Sequence, residues 1–176
     1  MSAVVAHLGL GSNVGDRRAQ LQAAVDALAV RGARPVASSS TYETDPVGAV
    51  LDQPAFLNAC LAVETTLEPD ALLGAVKDVE RALGRVTEGP GYVHHGPRPI
   101  DVDVLLYGAR EHHSDRLTVP HAALLQRRFV LIPLLELDFA LATPAGTRLA
   151  DALAALPVTE GVRRAGAPLA LPPSEA

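Results

Sequence analysis

Two aspartates, one residue apart, lie inside an apolar run at 96–108, GPRPIDVDVLLYG. Successive side chains of a strand point to opposite faces, so Asp101 and Asp103 would share a face with Leu105. The other face would carry Val102, Val104 and Leu106. Two carboxylates on Cα atoms about 7 Å apart repel each other unless a positive charge lies beside them. The spacing indicates a site for Mg²⁺, which proteins hold through one or two carboxylates together with water and phosphate oxygens. A solvated sheet face is the plainer alternative.

Positive side chains flank this pair along the chain. Arg98 precedes Asp101 by three residues, and Arg85 lies where the preceding helical segment meets the loop. Three more groups follow the strand: Arg116, His121 and Arg127. Arginines pair with the phosphate oxygens that a metal ion leaves uncovered, so this mixture is typical of a polyphosphate site. It favours the metal interpretation over the solvated face.

Other nucleotide and metal motifs are absent from the sequence. In GLGSNVG the third glycine of a G-x-G-x-x-G fingerprint falls on Val14, and no acidic residue follows at the expected distance. A P-loop is excluded as well, because the only lysine, Lys77, lies within a predicted helix. The histidine pairs at 94–95 and 112–113 have neither a thiolate nor a second histidine at i+4, so they are interpreted as loop residues rather than zinc ligands. Cys60 is interpreted as a small buried hydrophobe.

The composition is that of one ordinary globular domain. The chain has 176 residues, of which 48% are apolar and 20% charged. A net charge of -5 disfavours general binding of nucleic acid, and no apolar run approaches the roughly 20 residues of a membrane span. The start, MSAVVAHLGLGSN, has no basic segment before its apolar residues, so we expect no signal peptide and a cytoplasmic location. We expect a monomer that binds small molecules, with no nucleic-acid or membrane partner.

Periodicity predicts strands and helices in a mixed order. A strand is predicted over 4–10, and Asn13 or Asp16 would cap the helix that follows it. In FLNACLAVET, alternation places Phe56 and Asn58 on the same face of another strand. A second helix is predicted to begin at Pro69 and to end before Gly84.

The order of these elements, β, α, β, β, α, loop and β, predicts the fold class. It favours an α+β, ferredoxin-like fold in which a mainly antiparallel sheet packs against helices. Residues 1–156 are predicted to form a single domain. From Pro157 onward the composition turns to Pro, Ala and Gly, so residues 157–176 are predicted to be a loosely ordered tail.

Six ordered blocks resemble the 6-hydroxymethyl-7,8-dihydropterin pyrophosphokinase family of folate biosynthesis. They are LGLGSNVGDR, YETDPVG, DQPAFLNACLAVET, LLGAVKDVERALGR, GPRPIDVDVLLYG and LTVPHAALLQRRFVLIPLLEL. The resemblance implies a ferredoxin-like α+β enzyme with two Mg²⁺ ions. Such an enzyme would transfer the β,γ-diphosphate of ATP to the hydroxymethyl group of 6-hydroxymethyl-7,8-dihydropterin and release AMP.

The resemblance also implies roles for individual residues. Asp101 and Asp103 would hold both metal ions, while Arg85 and Arg98 would engage the transferred phosphates. The pterin contacts would be Phe56 and Phe129 on its faces, Asn58 at its polar edge, and the backbone of Thr44 and Val47. The residues around ATP would be Glu80, Arg116, Thr118, His121 and Arg127.

The chemistry of these residue types agrees with the implied roles. A flat heterocycle between two phenyl rings gains stacking and buried area, and an amide supplies a donor and an acceptor for its edge. Core packing is the alternative for each phenylalanine alone. Two other functions stay open from the residues: a catalytically silent module that senses a nucleotide or pterin, and a Mg²⁺-dependent phosphohydrolase. The first would not need both arginines with both aspartates, and the second would not use the Phe56 and Asn58 face.

Overall fold

The structure is a computed structural model that describes residues 2–46, 53–86, 88–90, 92–94, 96–158 and 161–174. Its strands are β1 (Val4–Ser12), β2 (Ala33–Ser38), β3 (Thr41–Thr44), β4 (Phe56–Thr65), β5 (Asp101–Tyr107), β6 (His112–His113), β7 (Thr118–Val119) and β8 (Val162–Gly166). Its helices are α1 (Arg17–Ala29), α2 (Pro69–Ala82), α3 (Arg128–Leu137) and α4 (Leu149–Ala155). Among these residues, no helix has both the length and the apolar character needed to cross a membrane.

The strands form one large antiparallel sheet and one small ribbon. The large sheet runs in the order β5, β1, β4, β3, β8, and β2 pairs with the part of β4 that β3 does not reach. The ribbon consists of β6 and β7. Helices pack against the sheet, so the predicted α+β class with a mainly antiparallel sheet is confirmed.

The two faces of the sheet are covered differently. Helices α1 and α2 pack on one face and form the main core with Leu8, Leu10 and alternate residues of β4 and β5. On the other face α3 and α4 pack around Cys60 and Leu105. Asp16 starts α1, because its carboxylate accepts a hydrogen bond from the Ala19 amide at 3.1 Å.

A β-bulge changes the predicted alternation near the end of β5. At Leu105 the register with β1 shifts, so β5 has one extra residue there. Beyond this point Leu106 packs beside Leu105 against α3 and α4, while Tyr107 joins the main core. The prediction that Leu106 shares a face with the two valines is therefore wrong. Asp101 and Asp103 precede the bulge, and their shared face is confirmed.

Residues 162–169 are held more firmly than the composition of this segment predicts. Residues Val162–Gly166 form β8, which pairs with β3 at the edge of the sheet. Leu169 is only 3% exposed and lies in the main core. The expectation of a loosely ordered tail is wrong for 162–169, because a strand edge and an apolar recess hold these residues. The domain boundary at 156 stays a prediction.

Candidate active site

A cavity of about 420 Å³ lies on the sheet face opposite α1 and α2. Strands β3, β4 and β5, the start of α3 and the segment before β5 each contribute to its wall. The predicted site residues that line it are Thr44, Phe56, Asn58, Arg98, Asp101, Asp103, Arg127 and Phe129. Residues predicted separately for metal, phosphate and pterin thus meet in one place.

The acidic side of the cavity is formed by Asp101 and Asp103. Both lie on the same side of β5, opposite Gly11 and Gly9 of β1. Burial and the neighbouring Asp101 carboxylate raise the pKa of Asp103 to about 7, against the opposing effect of Arg127. Within the described ranges, no three His, Cys, Asp or Glu side chains form a complete metal site. A cation here would therefore relieve the charge of the pair and take its remaining ligands from water or phosphate.

Arg85 connects this acidic side to the end of α2. Its Nη1 donates to Asp101 Oδ1 at 2.5 Å and to Glu80 Oε2. Burial alone would lower the pKa of Arg85, but the charges of Asp101 and Glu80 outweigh it, and the pKa is raised. The described side-chain hydrogen bonds of Arg85 all use Nη1, so Nη2 and Nε can serve a bound anion.

Glu80 lies in the interior and not on the cavity wall. It is 1% exposed, and its Oε1 accepts from Lys77 Nζ at 2.9 Å. Its Oε2 accepts from the Val102 amide at 3.1 Å and from Arg85. This geometry disagrees with the predicted contact between Glu80 and ATP, because the protein already occupies both carboxylate oxygens. Glu80 instead fixes Arg85 and β5 in place.

Arg98 is held through its backbone by Asn13. Asn13 Oδ1 accepts from the Arg98 amide at 2.8 Å, and Asn13 Nδ2 donates to Gln53 Oε1 at 2.9 Å. The Arg98 guanidinium lies 5.0 Å from the centre of the Phe56 ring, and its Nε is 3.5 Å from Asp101 Oδ2. That Nε is buried without a hydrogen bond in the described structure, which leaves a donor for a ligand. Arg98 also lines a smaller adjoining cavity of about 220 Å³.

The opposite side of the cavity combines aromatic surface with an amide. Asn58 Nδ2 donates to Thr44 Oγ1 at 2.5 Å, so the amide has a fixed orientation. Phe56 lies two residues before Asn58 on the same face of β4, as predicted from alternation. Phe129 lies at the start of α3, with the Arg127 guanidinium 5.6 Å from the centre of its ring. Such a wall can hold a flat heterocycle. Val47, the other predicted pterin contact, lies outside the described residues.

The remaining predicted ATP residues lie beyond the cavity lining. The His121 amide donates to the Leu105 carbonyl at 3.0 Å, and its Nδ1 accepts from the Ala123 amide at 3.1 Å. Burial lowers the pKa of His121, and Arg127 lowers it further, so the imidazole is neutral at pH 7. Arg116 is exposed in the turn between β6 and β7, and Thr118 is exposed in β7.

Two glycines form part of the cavity floor and were missed by the sequence analysis. Gly9 and Gly11 line the cavity in β1, opposite Asp103 and Asp101 of β5. Neither glycine has a side chain that would fill the space beside the aspartates. A Cβ on Gly11 would lie 2.9 Å from Asn58 Oδ1, and one on Gly9 would lie 3.4 Å from Leu105 Cδ1. Glycine within a strand marks a close approach of backbone and ligand. The repeated glycine in GLG was therefore a signal, although it does not belong to a dinucleotide fingerprint.

These groups define a class of protein: an α+β domain whose antiparallel sheet carries an acidic pair, arginines and an aromatic wall around one cavity. Comparison with known proteins then gives the family. The profile of the 7,8-dihydro-6-hydroxymethylpterin-pyrophosphokinase (HPPK) family matches residues 7–139, and the chain belongs to this family.

Individual relatives support this assignment. The 2-amino-4-hydroxy-6-hydroxymethyldihydropteridine pyrophosphokinase of Methylorubrum extorquens is 47% identical over 133 residues, which cover 75% of this chain and 81% of the relative. The enzyme of the same name from Pseudomonas aeruginosa is 42% identical over 159 residues, covering 90% of this chain and 94% of the relative.

A solved structure supports the fold alone. The crystal structure of wild-type Plasmodium falciparum HPPK-DHPS with pterin and p-hydroxybenzoate matches with a TM-score of 0.63 and 15% identity. The match covers 88% of this chain and 42% of that chain, so this protein spans less than half of the solved one.

Family membership confirms three predictions made from the sequence. They are the resemblance itself, the ferredoxin-like fold and the activity. The activity is that of an ATP-dependent pyrophosphokinase of folate biosynthesis.

Proposed function

We propose that the cavity is the place where diphosphate passes from ATP to the hydroxymethyl group of 6-hydroxymethyl-7,8-dihydropterin, with release of AMP. In this proposal the hydroxyl attacks the β-phosphorus in line with the departing AMP oxygen. The observation that carries it is the convergence of the Asp101 and Asp103 pair with the Phe56 and Asn58 wall on one cavity.

Asp101 and Asp103 would hold two Mg²⁺ ions. The donor set fits, because hard carboxylate oxygens suit Mg²⁺ and two such carboxylates line the same cavity from one side of β5. When bound, Mg²⁺ supplies neutralisation of the triphosphate charge and lowers the pKa of a nearby hydroxyl. Burial of Asp103 places this charge away from bulk water, where electrostatic interactions are stronger.

Arg85 and Arg98 would bind the transferred phosphates. Arg85 is anchored by Glu80 and Asp101 through one nitrogen, so its guanidinium is oriented before ATP arrives. Arg98 has its backbone fixed by Asn13, and its buried Nε lies 3.5 Å from Asp101 Oδ2 but makes no hydrogen bond in the described structure. Donors that are already oriented stabilise the charge that develops in the transition state without reorganising during the reaction.

Asn58 would read the polar edge of the pterin while Phe56 and Phe129 stack on its ring. The hydrogen bond from Asn58 to Thr44 leaves Asn58 Oδ1 and one N–H for the ligand. Thr44 and Val47 would add backbone contacts. A ring held in this way positions its hydroxymethyl group toward the acidic pair, and positioning accounts for much of the rate of phosphoryl transfer.

The ATP-binding residues would be Arg127, His121, Arg116 and Thr118. Arg127 lines the cavity, and the neutral His121 already accepts at Nδ1 from the Ala123 amide, so its Nε2–H can donate a hydrogen bond. Glu80 acts on ATP only through Arg85. The protein would be a cytoplasmic monomer that binds neither nucleic acid nor membranes. The net charge of -5 supports the absence of nucleic-acid binding.

The test is to identify the adenine product and its dependence on the proposed metal ligand. Wild-type protein with Mg-ATP and the reduced pterin alcohol should form AMP only when the pterin is present. Asp103→Asn should lower turnover by at least about a hundredfold, since it removes a charge from the transition-state site and little volume. Asp26→Asn, on exposed α1 surface, is the matched control. Full activity in Asp103→Asn, or ADP formed without pterin, would contradict the proposal.

A further inference from the structure

The last described segment of the chain contacts both β3 and α1. We call residues 161–170 the C-terminal strap. Its first part, β8, pairs antiparallel with β3 from Thr44, opposite Val162, to Thr41, opposite Gly166. The Asp45 amide, just beyond β3, also donates to the Gly161 carbonyl at 3.3 Å. The strap therefore follows the whole outer edge of β3.

The second part of the strap is anchored to the core and to α1. Leu169 is 3% exposed within the main core, and its amide donates to Ser38 Oγ at 3.1 Å. Arg18 donates to the carbonyls of Ala167 at 2.9 Å and Pro168 at 3.1 Å. Gln22 exchanges two hydrogen bonds of 2.9 Å with the backbone of Ala170. These contacts fix the position of β8 independently of its pairing with β3.

Strand β3 needs such support because it is short and carries a cavity residue. It has four residues, and only Tyr42, Glu43 and Thr44 pair with β4 on its inner side. Thr44 is 3% exposed and accepts the hydrogen bond that orients the Asn58 amide. Without the strap, β3 would be an edge strand with backbone pairing on one side only, besides the side-chain contacts of Tyr42 with Glu136 and of Glu43 with Arg17. Edge strands of this length open readily.

We propose that the C-terminal strap is a positioning element for the pterin side of the cavity, acting through β3 on Thr44 and Asn58. Leu169 is its principal anchor and Arg18 a secondary one. The strap touches neither the aspartates nor the arginines that line the cavity, so it acts on the pterin and not on ATP. This inference rests on the proposed placement of the pterin against Asn58.

The test compares two full-length variants that remove equal apolar volume from the same core. Leu169→Ala loosens the strap, while Leu72→Ala in α2, 0% exposed in the main core, is the matched control. Leu169→Ala should raise the KM for the pterin roughly tenfold and leave the KM for ATP within about twofold. Amide exchange in β3 should accelerate in Leu169→Ala and not in Leu72→Ala, and Leu169→Met should restore both values.

Three outcomes separate the possibilities. An equal rise of the pterin KM in Leu72→Ala, or an unchanged pterin KM in Leu169→Ala, would overturn the inference by showing a purely structural strap. Asn58→Ala tests the underlying placement on its own: if it leaves the pterin KM unchanged, the proposed pterin site fails first. If Leu169→Ala does not fold, Gln22→Ala removes both hydrogen bonds to Ala170 and loosens the strap at the surface, and it should shift the pterin KM in the same direction.

Discussion

Replacing Glu80 tests whether this residue binds ATP directly or positions the residues that bind it. The carboxylate is 1% exposed and bonded to Arg85, Lys77 and the Val102 amide. Glu80→Ala would leave the Val102 amide without its acceptor and Arg85 with one carboxylate fewer. Glu80→Gln keeps the shape and one acceptor oxygen but removes the charge.

The loss of unfolding free energy in the Glu80 variants follows from the burial of the Glu80 carboxylate. Loss of a buried acceptor leaves the amide unsatisfied, at about 1–3 kcal/mol, and breaking a buried ion pair from one side costs about 3–5 kcal/mol. The two costs overlap, because the same carboxylate makes both contacts, so we expect Glu80→Ala to lose about 3–5 kcal/mol of unfolding free energy. Glu80→Gln should lose less, since it can still accept from the Val102 amide.

Urea denaturation measures the stability, and steady-state kinetics with a separate ATP-binding measurement measures function. A positioning role predicts that Glu80→Gln lowers kcat, because Arg85 is no longer fixed, while the Kd for ATP in the absence of pterin changes by less than about twofold. Lys77→Gln, which removes the exposed partner of the same carboxylate, is the control and should change both values little.

Two results would refute this reasoning. Unchanged unfolding free energy in Glu80→Ala would mean that the carboxylate is not buried as described. A large rise in the Kd for ATP with normal kcat in Glu80→Gln would restore the direct contact with ATP that the sequence predicted.

Two further predictions concern the cavity floor and the acid side of the stability profile. Gly11→Ala should raise the KM for the pterin more than Gly9→Ala does. A Cβ at position 11 would lie 2.9 Å from Asn58 Oδ1, whereas a Cβ at position 9 would lie 3.4 Å from Leu105 Cδ1. Equal effects on the KM would contradict the role of Gly11 in the cavity floor. Burial lowers the pKa of His7 below 6.5, with Asp138 opposing the shift, so the unfolded state binds its proton first as the pH falls. Stability should therefore fall below about pH 6.5, by at most about 1.4 kcal/mol per pH unit from this group, and His7→Gln should lose less in denaturation curves at pH 7.5 and 5.5. If the wild-type protein loses no more unfolding free energy between pH 7.5 and 5.5 than His7→Gln does, this assignment is contradicted.

The faces of individual strands could be predicted because they depend on the backbone alone. Alternation along β4 and β5 puts Phe56 beside Asn58 and Asp101 beside Asp103, whatever the neighbouring strands are. The bulge at Leu105 could not be predicted in the same way, since it depends on the register between β5 and β1, which are far apart in the chain.

The C-terminal strap was mispredicted for a related reason. Its composition of Pro, Ala, Gly and Arg has low intrinsic strand preference, so a local interpretation finds no structure there. The strand forms because β3 offers an unpaired edge and the core offers a recess for Leu169. Both are products of segments more than a hundred residues earlier, and tertiary context overrides propensity in such cases.

Glu80 shows that resemblance to a family can place a residue near the active site without giving its role there. The resemblance placed it near ATP, yet it lies four residues after Val76 and three before Leu83, on the buried apolar stripe of α2. A carboxylate on a buried stripe must find partners inside the protein, because an unpaired buried charge is too costly. Arg85 and the Val102 amide are those partners, and they belong to the phosphate and metal sides of the cavity. Helical spacing combined with the cost of burying a charge therefore predicts a positioning role from the sequence, where similarity alone predicts only proximity to the site.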